Sequence, residues 1–174
     1  MRRLFTYPDH GALMGHFQPG DFLDSQAAPL PHPAPDAAGL AIATFFAMPS
    51  WAVALLRLRN LIVSPFGLKT GDEPGGFPPP SRTEINQLTY DGVFAVHSAT
   101  EAEVVFGADD KHLDFRVSVL KSEQEDLVAI STWVHPHNLF GRAYLAAVYP
   151  FHRLIVRRSL ARASRLGVTI PRQK

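Results

Sequence analysis

The chain has 174 residues, of which 46% are hydrophobic, and its 17 basic and 16 acidic residues leave a formal net charge of +1. Because a chain of this length can bury most of its surface, we expect one domain over residues 1–174, with its core at about 21–166. The balanced charge provides no general attraction to nucleic acid, which we exclude as a partner. The absence of cysteine excludes disulfides, thiolate catalysis and cysteine metal ligands.

The first 35 residues are rich in proline and show little hydrophobic periodicity. Polar residues and Pro8 interrupt the apolar stretch that a secretory signal needs, so we predict a cytoplasmic protein. The segment DFLDS, residues 21–25, is expected to begin a first strand. Residues 29–35 predict an extended crossing loop, because each proline fixes its own φ and restricts the residue before it.

Two apolar helices are predicted between Asp36 and Val63. Asp36 is a suitable N-cap for the first helix, and Pro49 ends that pattern and begins the second. The uncharged run at 39–56 only just reaches the length of a membrane span, and its interior proline favours two short helices, so membrane contact is not expected. An exposed hairpin at 40–63 would instead predict a protein-interaction or membrane-associated module.

A glycine- and proline-rich loop at 67–82 precedes a region in which the hydrophobic period is two. The predicted strands are Thr83–Tyr90, Val93–Ser98, Ala102–Phe106, His112–Lys121 and Leu127–His135. Asp91-Gly92 and the polar segments 107–111 and 122–126 predict turns, so the strands should form an antiparallel meander.

Alternation is clearest in HLDFRVSVL, residues 112–120. One face carries Leu113, Phe115, Val117 and Val119, and the other carries His112, Asp114, Arg116 and Ser118. This pattern predicts a sheet that is buried on one face only.

The longest helical pattern runs from Asn138, a suitable N-cap, to Arg165. The apolar residues predicted to share its core-facing side are Phe140, Tyr144, Ala147, Phe151, Leu154 and Ile155. Pro150 predicts a bend. His152 is expected to be a half-exposed packing residue, with a place in the ligand site as the alternative. The order of elements predicts an α+β helix-grip fold, in which a curved antiparallel sheet wraps the C-terminal helix and a two-helix hairpin follows the first strand.

Three segments resemble an uncharacterised bacterial family, a domain of unknown function in the START-like (SRPBCC) superfamily with the pollen-allergen and polyketide-cyclase folds. The segments are FFAMPSWAVALLRLRNLIVSPFGLKT, GADDKHLDFRVSVL and STWVHPHNLFGRAYLAAVYPFHRLIVRRSLARA, and the resemblance extends from about residue 21 to 163. It implies the helix-grip fold and an apolar cavity between the sheet and the last helix.

The leading hypothesis is therefore a protein that binds a small apolar or amphipathic ligand without a cofactor. The residues predicted to enclose the ligand are Phe115, Val117, Trp133, Tyr144, Val148 and Phe151. Because Tyr144 and Phe151 are two helical turns apart, their rings are expected to form one wall of the cavity. A homodimer is compatible with the sequence.

An enzyme is the alternative hypothesis, such as a cyclase, dehydratase or hydrolase acting on an apolar carbonyl compound. The candidates for its acid, base or orienting groups are His112, Asp114, Arg116 and Tyr144. His135 and His137 have the spacing of two metal ligands on a strand, but the third ligand is undefined, so no metal is predicted.

Overall fold

The computed structural model describes residues 5–46, 51, 54, 79–90, 92 and 94–166. The strands are β1 (Phe22–Pro29), β2 (Ala95–Ala99), β3 (Glu103–Asp109), β4 (Leu113–Ser122) and β5 (Leu127–Pro136). They form one antiparallel sheet in the order β1-β5-β4-β3-β2, a meander of β2 to β5 with β1 added beside β5.

The helices are α1 (Ala37–Ala41), which continues as a π-helix at Ile42–Phe46, then α2 (Arg82–Asn86) and α3 (Leu139–Ala163). A short 3-10 helix at Ala12–Gly15 precedes β1. A five-stranded antiparallel sheet that packs against a long C-terminal helix confirms the predicted α+β class and the helix-grip arrangement of these two elements.

The C-terminal helix α3 begins where the sequence predicts. The side-chain oxygen of Asn138 accepts a hydrogen bond from the Gly141 amide at 2.9 Å, which satisfies one of the free donors of the first turn. The helix continues through Pro150. It packs against β5, β1 and the π-helix at Ile42–Phe46.

The helix face of the sheet, the side that α1 and α3 cover, carries the main core. Val117 and Val119 of β4 lie there with Phe106 of β3, and Leu40 and Leu160 pack in the same cluster. The predicted inward face of β4 is therefore confirmed.

The opposite side, here called the back face, is also covered, so the prediction of a sheet buried on one face only was wrong. Tyr7 and Leu13 of the N-terminal segment pack with Val105 and Trp133 on this side. Ser118 is fully buried, and Arg116 is buried as well. The N-terminal segment lacks periodicity because it covers the sheet as an irregular chain with a single short helix.

The predicted strand Thr83–Tyr90 is α2 in the structure, followed by Leu88 with a φ of 56°. Ser81 and Glu84 form a reciprocal capping box, in which the Ser81 hydroxyl accepts from the Glu84 amide and the Glu84 carboxylate accepts from the Ser81 amide. These caps outweigh the alternating pattern of the segment.

The loop predicted at 29–35 begins one residue later in the structure than the sequence predicts. Pro29 still belongs to β1 and pairs with Leu127 at the edge of the sheet. The second apolar helix, apart from helical Trp51 and Ala54, lies outside the described residues, as do most of the 67–82 loop and Asp91. Within the part of the chain that the structure describes, no helix is long and apolar enough to span a membrane.

Candidate ligand-binding pocket

A pocket of about 200 Å³, partly open to solvent, lies between the first half of α3 and the helix face of the sheet. Its apolar walls are formed by residues of β1, β4, β5 and α3 and by Phe94, which precedes β2. The residues are Phe22, Leu113, Phe115, Val134, Leu145, Val148 and Phe94. Because these residues belong to the strands as well as to α3, the pocket depends on the assembled fold.

Aromatic rings form much of the wall. Phe22 and Tyr149 meet edge to face with their centroids 5.0 Å apart, and Phe94 and Phe115 do so at 5.4 Å. Such pairs favour particular ring orientations, so this part of the wall is apolar and well defined.

Beneath these walls is a polar floor, which we define as Thr132 and His152, both lining residues, together with Asp24, which lies beside both of them but does not itself line the pocket. Asp24 and Thr132 are direct cross-strand partners on β1 and β5 and so lie side by side on the helix face. His152 of α3 places its Nε2 3.5 Å from the Asp24 carboxylate, an ion-pair distance that is too long for a good hydrogen bond. The Tyr149 hydroxyl lies 3.4 Å from the same carboxylate.

Asp24 is an ionised acceptor at neutral pH. Burial acts to raise the pKa of its carboxyl, but attraction to His152, a 3.0 Å hydrogen bond from Gln26 and the charge of Arg153 together outweigh burial. The pKa therefore lies below its ordinary value.

Two polar atoms of the floor are buried without a hydrogen-bond partner among the described residues: Oγ1 of Thr132 and Nε2 of His152. Both residues line the pocket. Buried polar groups are usually paired, because an unpaired one forfeits its bonds to water. The floor therefore offers unused hydrogen-bonding capacity to a molecule in the pocket.

Of the six residues predicted to enclose a ligand, the structure places three in the pocket: Phe115, Tyr144 and Val148. Val117 lies in the packed core, and Trp133 points to the back face because side chains alternate along β5. These two predicted positions are not pocket residues.

Phe151 is 51% exposed and was wrongly predicted as a cavity wall. The pocket side of α3 is formed by Tyr144, Leu145, Val148, Tyr149 and His152. At 3.6 residues per turn, Phe151 lies about 90° from the centre of that stripe, and Tyr144 lies at its edge. The two-turn spacing correctly predicts that Tyr144 and Phe151 lie on nearly the same side of the helix. It does not show which side of the helix faces the sheet.

The four catalytic candidates do not converge. Only Tyr144 lines the pocket. Asp114 pairs with His137 at 3.0 Å and Arg116 with Asp109 at 2.6 Å, both on the back face of β4. His112 lies beside Asn138 and against the Phe140 ring at the start of α3. The hypothesis that these four residues form one active site is therefore not supported.

The two histidines with metal-ligand spacing are each held by a carboxylate. His135 Nδ1 lies 2.5 Å from Asp21, whose buried carboxylate also accepts from the Trp133 indole at 2.7 Å, while His137 pairs with Asp114. Over the described residues, no group of three or more His, Asp or Glu side chains is arranged to hold a metal ion.

The floor itself was largely missed by sequence reasoning. Asp24 follows Phe22 by two residues, so alternation would have placed it on the same face. Thr132 gives no signal of its own, because its proximity to Asp24 follows from the β1–β5 register. For His152, the main expectation was a packing role, with a place in the site as the alternative.

These features define a class: an α+β protein in which an antiparallel sheet and a long C-terminal helix enclose an apolar pocket with a polar floor. The chain belongs to the family described as protein of unknown function (DUF2867), whose model matches residues 17–159. The match covers β1 to most of α3 and so includes every lining residue of the pocket. Neither the curated proteins nor the solved structures contain a match to the chain.

Proposed function

We propose that this protein binds a small, mostly apolar molecule in the pocket between the sheet and α3. The observation that carries the proposal is the pocket of about 200 Å³, whose walls are mostly aromatic and aliphatic and which has a few polar groups, among them Thr132 and His152 of the floor and Asp110. Mostly apolar concave sites with a few placed polar groups are the usual form of small-molecule sites.

The size of the pocket bounds the ligand. An engineered apolar cavity of about 150 Å³ in another protein is large enough to bind benzene. A volume of about 200 Å³ with a partly open mouth therefore suits a substituted ring or a short branched chain. The sequence resemblance to START-like proteins supports the same location, because their ligand cavity lies between the corresponding elements.

The test is an NMR chemical-shift titration with p-xylene of the wild type and two variants. Val148 lines the pocket, whereas the adjacent Ala147 is exposed on the same helix. Val148→Phe should fill the space and abolish saturable binding. Ala147→Phe adds a larger ring to the same helix and should leave the affinity unchanged.

Saturable shifts in the wild type and in Ala147→Phe, but not in Val148→Phe, are the expected result. Failure of the wild type to bind p-xylene or another apolar ring of that size would contradict the proposal. Equal binding by folded Val148→Phe would show that the molecule binds elsewhere.

A further inference from the structure

We propose that the ligand carries a hydroxyl group and that the polar floor of Asp24, Thr132 and His152 recognises it. This inference rests on the proposed function, since it concerns the same pocket. It assigns the ligand to a chemical class, apolar alcohols and above all phenols.

The first argument is the unmet hydrogen-bonding capacity of Thr132. The residue is 6% exposed and lines the pocket, and its hydroxyl has no partner among the described residues. The hydroxyl is not directed to bulk water either, because its oxygen is buried. A ligand atom that reaches the floor would supply the bond that the protein leaves open.

The second argument is the combination of groups beside that hydroxyl. The Thr132 hydroxyl can donate or accept, and Nε2 of His152 does either according to its tautomer, whereas the ionised Asp24 beside them already accepts from Gln26. A ligand hydroxyl both donates and accepts, so it can bond to the Thr132 hydroxyl and to Nε2 of His152 at the same time, whichever role each of them takes. An ether or ketone oxygen, which only accepts, could pair with both groups only if both of them donate.

Charge argues for a neutral group. A ligand carboxylate would be repelled by Asp24, and the charge of Asp24 is already opposed by Arg153 and by the neighbouring His152. A cationic ligand would compete with His152 and Arg153 for the Asp24 carboxylate. A hydroxyl group can form hydrogen bonds at the floor without adding a buried charge.

The aromatic walls of the pocket indicate the chemistry of the rest of the ligand. The edge-to-face pairs of Phe22 with Tyr149 and of Phe94 with Phe115 surround the space above the floor. An aromatic ring can contact these rings by their preferred edge and offset geometries. A small phenol satisfies the walls and the floor together.

Calorimetric titration with p-cresol and p-xylene tests the inference, because the two molecules have nearly the same shape and differ by a hydroxyl in place of a methyl group. We expect p-cresol to bind wild-type protein about tenfold more tightly, since a hydrogen bond to a buried group that is otherwise unpaired has an effect of this order. Thr132→Val should remove most of that preference, and Thr132→Ser should retain it.

The matched control is Thr44→Val. Thr44 is also a buried threonine, but its hydroxyl donates to the Leu40 carbonyl at 2.7 Å, and the residue does not line the pocket. This variant should keep the wild-type preference for p-cresol.

The outcomes separate this inference from the proposed function. Equal affinity of the wild type for the two ligands would overturn the hydroxyl assignment and leave apolar binding intact. Absence of binding by either ligand would overturn both. A preference for p-cresol that survives in Thr132→Val, or a loss of affinity for both ligands alike in that variant, would also overturn the role of the floor.

Discussion

Tyr7 shows how one residue can join an irregular segment to a sheet. Its hydroxyl donates to the Glu103 carboxylate on the back face and accepts from the Leu13 amide at 3.0 Å. The Ser118 hydroxyl donates to the same carboxylate, and the Ala12 amide contributes a further hydrogen bond at 3.2 Å. The charge of a largely buried glutamate is thus surrounded by donors, as buried carboxylates require.

Replacement of Tyr7 by Phe should reduce the free energy of unfolding by about 1–3 kcal/mol, because it leaves the buried Leu13 amide without its acceptor and removes one donor from Glu103. Urea unfolding measures the change. Tyr149→Phe is the control, since its hydroxyl makes only a 3.4 Å contact and its loss should have a smaller effect. Equal effects of the two substitutions would contradict the role assigned to Tyr7.

The same residue predicts how stability depends on alkaline pH. Burial, followed by the hydrogen bond and the charge of Glu103, raises the pKa of Tyr7 above its ordinary value of 10.0. The folded state then holds this proton above pH 10.0 while the unfolded state releases it, so stability should fall as pH rises from there. Tyr7→Phe should show a shallower fall, with a remainder from Tyr90, whose pKa is also raised.

At the scale of elements, the predictable parts are those with strong local signals. The Asn138 cap predicted the start of α3, and alternation in 112–120 predicted the inward face of β4. The capping box of Ser81 and Glu84 was present in the sequence, yet the alternation of 83–90 misled the assignment. The polar floor required the β1–β5 register, which local patterns do not contain because it is set by long-range pairing.

The junction of α3 with the sheet gives a prediction at this scale. A Cβ on Gly141 would lie 2.1 Å from the carbonyl oxygen of His112, so the first turn of the helix has no room for a side chain. Gly141→Ala should therefore destabilise the protein by roughly 1–3 kcal/mol, as overpacking does, although alanine is the better helix former.

Thermal and urea unfolding would measure this change. As a reference for intrinsic propensity, Ala143→Gly at an exposed position of the same helix should cost about 1 kcal/mol. If Gly141→Ala instead raises stability by a similar amount, the close approach of helix and strand is not a real constraint.

At the scale of the whole molecule, the sheet has two covered faces with different roles. The back face is sealed by the N-terminal segment through Tyr7 and Leu13, whereas the helix face leaves a space beneath the first half of α3. Toward the other end of α3, Val156 and Leu160 pack directly into the core. The helix therefore closes one end of the sheet and leaves the pocket at the other.

The measurement that tests this account most directly is the set of intermolecular nuclear Overhauser effects from a bound ring to assigned methyl groups. With p-xylene or p-cresol, we expect contacts to the methyl groups of Val134 and Val148, which line the pocket, and none to those of Val119, which is fully buried in the core. Saturable binding without contacts to Val134 and Val148, or no binding by either ring, would contradict the claim that this pocket is a ligand site.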